Sequence, residues 1–136
     1  LGMPLAALDM LCHAVHLFVV FFNLLGWAHP RTRRAHRWVL GITAFCWLAA
    51  GPVFWGTLGY CPLTEWHWDV KTARGEGPLP SSYIDYLLQA AGLHFSARAI
   101  DTAVGGVFFA LCVCTLYLWH KERRARDRPE TKSSSV

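Results

Sequence analysis

Trp38–Tyr60 reads WVLGITAFCWLAAGPVFWGTLGY, twenty-three residues without one Asp, Glu, Lys or Arg. At 1.5 Å per residue a helix of that length reaches about 34 Å, beyond the roughly 30 Å hydrocarbon core of a bilayer. The stretch therefore predicts a membrane-spanning helix with some tilt. Two further runs share its character. Met10–Ala28 carries no formal charge, and the apolar start Leu1–Leu8 extends it across the single Asp9. Thr102–Trp119 supplies eighteen more uncharged residues, bounded by Arg98 and Asp101 before it and His120 and Lys121 after it. The first run has no basic leader and is followed by arginines in place of a small-residue cleavage site, so it is expected to remain as a span and not to be removed as a signal peptide. With 54% hydrophobic and 16% charged residues, the chain falls outside the disordered, collagen-like, disulfide-scaffold and soluble two-domain classes.

The predicted fold is an all-α membrane protein with three transmembrane helices and one interfacial amphipathic helix in the outer loop. Residues 1–120 form a single integral membrane domain, with spans at about 3–27, 38–60 and 100–119 and an outer loop over 61–97. Within that loop Tyr83–Phe95 is apolar but too short to cross. Ser82 stands as N-cap with Asp85 three residues later, Asp85 and Gln89 share a face, and Gly92 marks the end, which places a helix over 82–94. Lys71–Pro80 contains Gly75, Gly77, Pro78 and Pro80 and reads as loop. Residues 121–136 are a basic cytoplasmic tail, expected to be disordered at its serine-rich end.

Charge sets the orientation. Ten of the thirteen basic residues fall in the first loop (Arg31, Arg33, Arg34, Arg37) or the tail (Lys121, Arg123, Arg124, Arg126, Arg128, Lys132). The second loop holds only Lys71, Arg74 and Arg98, balanced by Glu65, Asp69, Glu76 and Asp85. Lys and Arg stay on the cytoplasmic side during insertion, so the N-terminus and residues 61–97 are expected outside. Trp27, Trp38 and Trp119 then fall at the inner interface, with Trp55, Tyr60, Trp66 and Trp68 near the outer one. The basic residues are topology signals, and the charge pattern gives no support for nucleic-acid binding; the lipid bilayer is the expected surrounding.

The first span carries Asp9, His13, His16 and Asn23 at spacings of 4, 3 and 7, within about an 80° sector at 100° per residue. Such a stripe should face other helices or a wet cavity, not lipid. Asp9 and His13 at i,i+4 can hydrogen-bond, and His16 lies one turn on, an arrangement that orients metal-ligating imidazoles or passes protons. The alternative is that these groups hold a three-helix bundle together across helix contacts. Asp101, near the outer end of the third span, is the candidate partner for the outer part of the stripe, unless it pairs with Arg98 at the interface.

Cys61-Pro62-Leu63-Thr64-Glu65-Trp66-His67-Trp68-Asp69 concentrates thiol, imidazole and carboxylate in nine residues. These are zinc or copper ligand types, but Cys61 and His67 are six apart and no second pair completes a site locally. The candidate metal set is His13, His16, Cys61 and His67, with His94 and Asp101 as further donors. Bis-His haem is less favoured, because no other span supplies a mid-membrane histidine. Cys12, Cys46, Cys112 and Cys114 lie inside spans as small apolar residues, and a disulfide framework is excluded. Gly51-Pro52 should kink the second span, and Gly41, Gly51, Gly56 and Gly59 permit close helix approach. No recognised catalytic motif is present.

His16, then Phe22-Asn23-Leu24-Leu25-Gly26-Trp27, Thr32-Arg33-Arg34 with His36, Gly59-Tyr60-Cys61-Pro62-Leu63-Thr64-Glu65-Trp66-His67-Trp68 and Pro80-Ser81-Ser82-Tyr83-Ile84 together cover most of residues 10–105. In order and spacing they resemble the small bacterial membrane proteins grouped as domain of unknown function 2784. The Cys-Pro-Leu-Thr block followed by the Ser-Tyr-Ile helix start is its most specific part. The resemblance implies a bacterial inner-membrane protein that commonly carries an acidic residue near the Cys-Pro-Leu-Thr block, a role Glu65 fills here. It transfers no activity.

Three readings follow. The first is a non-enzymatic accessory or interaction subunit, whose polar cluster (Asp9, His13, His16, Asn23, Cys61, Glu65, His67, Asp101) and outer cap hold the bundle or dock another membrane protein or a second copy. The second is a metal- or haem-binding protein using the outer histidines, cysteine and carboxylates. The third is a proton or small-solute relay along Asp9, His13, His16 and Asn23. The Cys61–Asp69 segment is expected to fold over the mouth of the bundle and meet the first span.

Overall fold

Backbone crossing hydrocarbon must satisfy its own hydrogen bonds, which makes charge-free runs of this length helical. The computed structural model describes residues 2–129. In chain order the helices are α1 (Leu5–Leu25), α2 (Arg33–Trp55), α3 (Pro62–Ala73), α4 (Tyr83–Ala90) and α5 (Ala97–Arg126). Helices α1, α2 and α5 are long and apolar enough to cross a membrane, and no strand occurs among the described residues.

Exposure is distributed as in a protein solvated by lipid. The buried apolar side chains are Leu40, Tyr83 and Ile100, while Phe18, Phe21, Trp38, Phe45, Phe54 and Phe109 stand exposed. The buried polar set is larger: Asp9, His16, Asn23, His36, Thr64, His67, Lys71 and Asp85. In water this distribution would be unfavourable on both counts; in hydrocarbon it is the expected one.

The connection between α2 and α5 holds two helices where the sequence predicts one. Pro62 at the first position of α3, where its missing N–H costs nothing, and Glu65 in the first turn favour a helix start. Helix α4 begins as expected, with the Ser82 hydroxyl accepting the Asp85 N–H at 3.1 Å. It stops earlier, because the Leu93 N–H closes onto the Leu88 carbonyl at 2.8 Å and Gly92 takes φ +80°. Helix α2 starts at Arg33, five residues before the expected Trp38, since arginine stems can carry a helix out of the hydrocarbon. It ends at Gly56 in the left-handed region (φ +68°). Helix α5 is capped by Ser96, which accepts the Ala99 N–H at 3.2 Å, and continues through the basic segment to Arg126. That part of the expected tail is helical; residues 130–136, where disorder is expected, lie outside the described residues.

The Cys46–Trp55 half of α2 is π-wound around Pro52. Proline has no N–H to donate and its ring meets the carbonyl one turn back, and a wider turn relieves both. The chain then folds over Gly51: the Thr57 N–H donates to the Gly51 carbonyl at 3.4 Å and the Gly59 N–H to that of Trp47 at 3.2 Å. A Cβ on Gly51 would collide with the Thr57 carbonyl and lie 2.8 Å from the Tyr60 Cβ. Gly51→Ala is expected to cost about 1–3 kcal/mol by overpacking, read as a lower unfolding midpoint in detergent. Gly41, expected to allow close approach, faces open space instead, and Gly56 and Gly59 serve through positive φ.

Helix α1 is the hub, packed against α2 and α3. Helix α5 packs more loosely, with Ile100 its one buried residue and Phe108 against Trp47 of α2 (ring centroids 4.9 Å apart). The Glu122 carboxylate, set among basic neighbours, ties α5 to α2 by accepting from Arg33 and Arg37, each at 3.0 Å.

Candidate functional site

Two polar faces meet where α3 lies on α1. On α1 the face is Asp9, His13 and His16; on α3 and its end it is Thr64, His67, Lys71 and Arg74, spaced 3, 4 and 3, again within about 80° of helix surface. Asp9 Oδ1 accepts from His67 Nε2 at 2.8 Å and from Lys71 Nζ at 3.1 Å, and Oδ2 accepts from Arg74. Glu76 closes the group, its two oxygens 3.1 Å from Lys71 and from Arg74. Two acids and two bases make a charge-balanced quartet. Balance is required there, because Lys71 is 2% exposed and an unpaired buried ammonium is strongly unfavourable.

An imidazole and aromatic layer lies beside the quartet. His13 Nδ1 is hydrogen-bonded to the Tyr83 hydroxyl at 3.0 Å. The ring of His16 stacks on Tyr83 (centroids 3.8 Å, planes 4° apart), and His13 meets His67 edge-on (4.3 Å, 89°). Lys71 Nζ sits 4.9 Å from the centre of the Tyr86 ring. Helix α4 delivers both tyrosines. It is held by the Trp68 indole N–H donating to the Pro80 carbonyl at 2.7 Å, and is braced internally by Gln89 donating to Asp85 at 2.9 Å.

Burial pushes the Lys71 ammonium toward its neutral form, but Tyr86, Glu76 and Asp9 outweigh it and hold its pKa above the ordinary 10.5. Burial, with Tyr86 adding to it, raises that of the Tyr83 phenol, which keeps its proton at neutral pH. A base whose pKa is raised in the folded state contributes stability below the unfolded value and loses it as pH rises through the folded one. The midpoint for release of α3 and α4, followed by the emission maximum of Trp68, is therefore expected to hold steady across neutral pH and fall only above the ordinary lysine range. Lys71→Met is expected to remove the lysine part of that alkaline fall and leave the part that Tyr83 contributes.

The sequence-derived cluster divides. Asp9, His13, His16 and His67 converge, and Cys61 Sγ reaches His16 Nε2 at 3.9 Å, with the Thr64 hydroxyl at 3.4 Å. Glu65 and Asp69 are exposed on the far side of α3. Asp101 is exposed and makes no ion pair with any described residue, neither with the stripe nor with Arg98; Arg74 and Lys71 hold Asp9 instead. Asn23 belongs to a second cluster at the other end of α1, where its amide donates to Thr43 Oγ1 at 3.2 Å and its carbonyl accepts from His36 Nε2 at 2.9 Å. About 10 Å of helix separates His16 from Asn23, and no hydrogen bond among the described residues bridges it.

Of the four candidate metal ligands, His13 and His67 group with Asp9, their ligating atoms lying within 4.8 Å of one another; His16 and Cys61 pair separately. Both oxygens of Asp9 are already held by cations. His16 Nδ1 and His67 Nδ1 are buried without a hydrogen-bond partner among the described residues. Sequence reasoning missed Thr64, Lys71, Arg74, Glu76, Tyr83 and Tyr86. The 3, 4, 3 spacing from Thr64 to Arg74 was the available signal, masked by reading Lys71 onward as loop.

Fold and site together define a three-span helical membrane protein with a charge-balanced quartet locking a two-helix cap onto its first span. The chain belongs to the family described as Protein of Unknown function (DUF2784), whose model matches residues 6–121, from the start of α1 to the basic end of α5. Among curated proteins and among solved structures, nothing matches it.

Proposed function

We propose that the chain is a non-enzymatic accessory subunit of a bacterial inner membrane, with its N-terminus and the α3–α4 cap outside and the arginine-rich turn and C-terminal tail in the cytoplasm. The basic residues support this orientation, since ten of thirteen lie on the tail side. One observation carries the accessory role: both oxygens of Asp9 are taken up by His67, Lys71 and Arg74, and Glu76 balances the remaining charge. A site closed on itself in this way holds a segment in place and leaves no free carboxylate for acid, base or ligand chemistry. What it holds is α3, whose outward face carries Trp66, 66% exposed, beside Glu65 and Asp69. An exposed tryptophan ringed by charges on a rigid helix has the composition of a docking anchor. The partner is another membrane protein or a second copy. With a photo-crosslinking residue in place of Trp66, irradiated cells are expected to give one discrete adduct, absent when the same residue replaces the lipid-facing Phe109. No adduct from Trp66, Glu65 or Asp69 would remove this reading.

The grouping of Asp9, His13 and His67 favours a metal centre as the second reading. A divalent ion there would have to displace Lys71 and Arg74 from Asp9. Elemental analysis of tag-free protein is expected to find metal far below one atom per chain. Near-stoichiometric zinc, copper or iron, lost in His13→Ala and His67→Ala, would replace the accessory reading with the metal one.

A further inference from the structure

Over the tail-side half of the bundle α2 and α5 border an open groove of about 550 Å³. Arg34, Arg37, Trp38 and Trp119 line its tail-side mouth, and mostly apolar or small residues, Leu40 and Leu116 among them, line the rest. The volume lies within the range of about 300–1,000 Å³ typical of small-molecule sites. Nothing protrudes into it from Gly41, where an added Cβ would meet no atom within 4 Å.

Charge says what kind of molecule it takes. Three guanidiniums, of Arg33, Arg34 and Arg37, stand at this end, and the carboxylate ion-paired with them, that of Glu122, is shared by Arg33 and Arg37. Arg34 is exposed and makes no ion pair with any described residue. A net positive mouth above an apolar trough, with tryptophans at the level between them, matches a phosphate-bearing headgroup over an acyl chain. Basic pockets between transmembrane helices recognise anionic lipid headgroups by this combination. We propose that the α2–α5 groove is a specific site for an anionic phospholipid, its phosphate held by Arg34 and Arg37 and one acyl chain lying along Leu40, Gly41 and Leu116. The lipid fills the space between α2 and α5 on the tail side of the Trp47–Phe108 contact.

Native mass spectrometry of the full chain, released from mild detergent after equilibration with equal amounts of phosphatidylglycerol and phosphatidylcholine, tests this. The wild type is expected to retain one phosphatidylglycerol in preference to phosphatidylcholine. Arg34→Gln is expected to lower that retention about fivefold, the effect of one basic residue near a charged lipid surface, whereas Arg31→Gln, outside the groove, leaves it unchanged. Gly41→Leu fills the trough and is expected to abolish retention of both lipids; should that variant not fold, the arginine pair still decides. Equal retention of the two lipids by the wild type, or undiminished phosphatidylglycerol in Arg34→Gln, would overturn the proposal. So would a lipid-free dimer, which would assign the groove to a helix of a second copy.

Discussion

Asp9→Ala is expected to lift the α3–α4 cap off α1. The substitution leaves the buried Lys71 ammonium and the Arg74 guanidinium facing one carboxylate, Glu76, in place of two, and leaves His67 Nε2 without its acceptor. Removing one member of a buried ion pair costs about 3–5 kcal/mol, because the surviving charge stays desolvated. With Glu76 still present the lower end, about 3 kcal/mol, is expected. Cys61 reads the opening directly, since it is the N-cap residue of α3 and packs toward His16. In a background without Cys12, Cys46, Cys112 and Cys114, modification of Cys61 by a membrane-impermeant maleimide should accelerate by about a hundredfold if it passes through the open cap. An unchanged rate would mean that Asp9 does not hold α3.

His36→Ala is expected to damage the opposite end by a comparable amount. The ring is fully buried, donates to the Asn23 carbonyl in the last turn of α1, and lies so close to Gly26 that a Cβ there would approach it to 3.0 Å. Alanine leaves a cavity and an unpaired helix-end carbonyl, together about 2–4 kcal/mol. His36→Gln keeps a donor and should lose less. Unfolding in mixed micelles titrated with sodium dodecyl sulfate measures both. Cys61 labelling should stay at the wild-type rate, because well-separated sites with no shared partners act independently.

The two ends also mark how far the sequence could be read. The three spans were legible because a charge-free apolar run of bilayer length is stable as a helix in hydrocarbon and poorly soluble anywhere else. The Ser82 cap was legible because its partner is three residues away. The polar face of α1 was visible as spacing within one helix. Its partners were not, since Lys71 and Arg74 lie more than sixty residues further on, and pairing at that distance leaves no local pattern. Helix α3 was hidden for a different reason. Its Cys, His and carboxylate content resembles a ligand cluster, yet the helix turns Glu65 and Asp69 outward and only Thr64, His67 and Lys71 inward. Asp101 was a candidate partner for the outer part of the stripe because it stands near the outer end of the third span, but Asp9 is itself an acid and takes cations instead. The relay drawn through Asn23 assumed one continuous stripe, whereas His16 is engaged by the cap and Asn23 by α2.

The most direct test of the lock between cap and span is a double-mutant cycle on Asp9→Asn and Lys71→Met, with unfolding free energies measured in mixed micelles. The lock predicts that the two losses are strongly non-additive, with a coupling of about 1–3 kcal/mol, as for groups in one buried network. Losses that simply add, to within about 0.5 kcal/mol, would contradict it and separate the cap from the span.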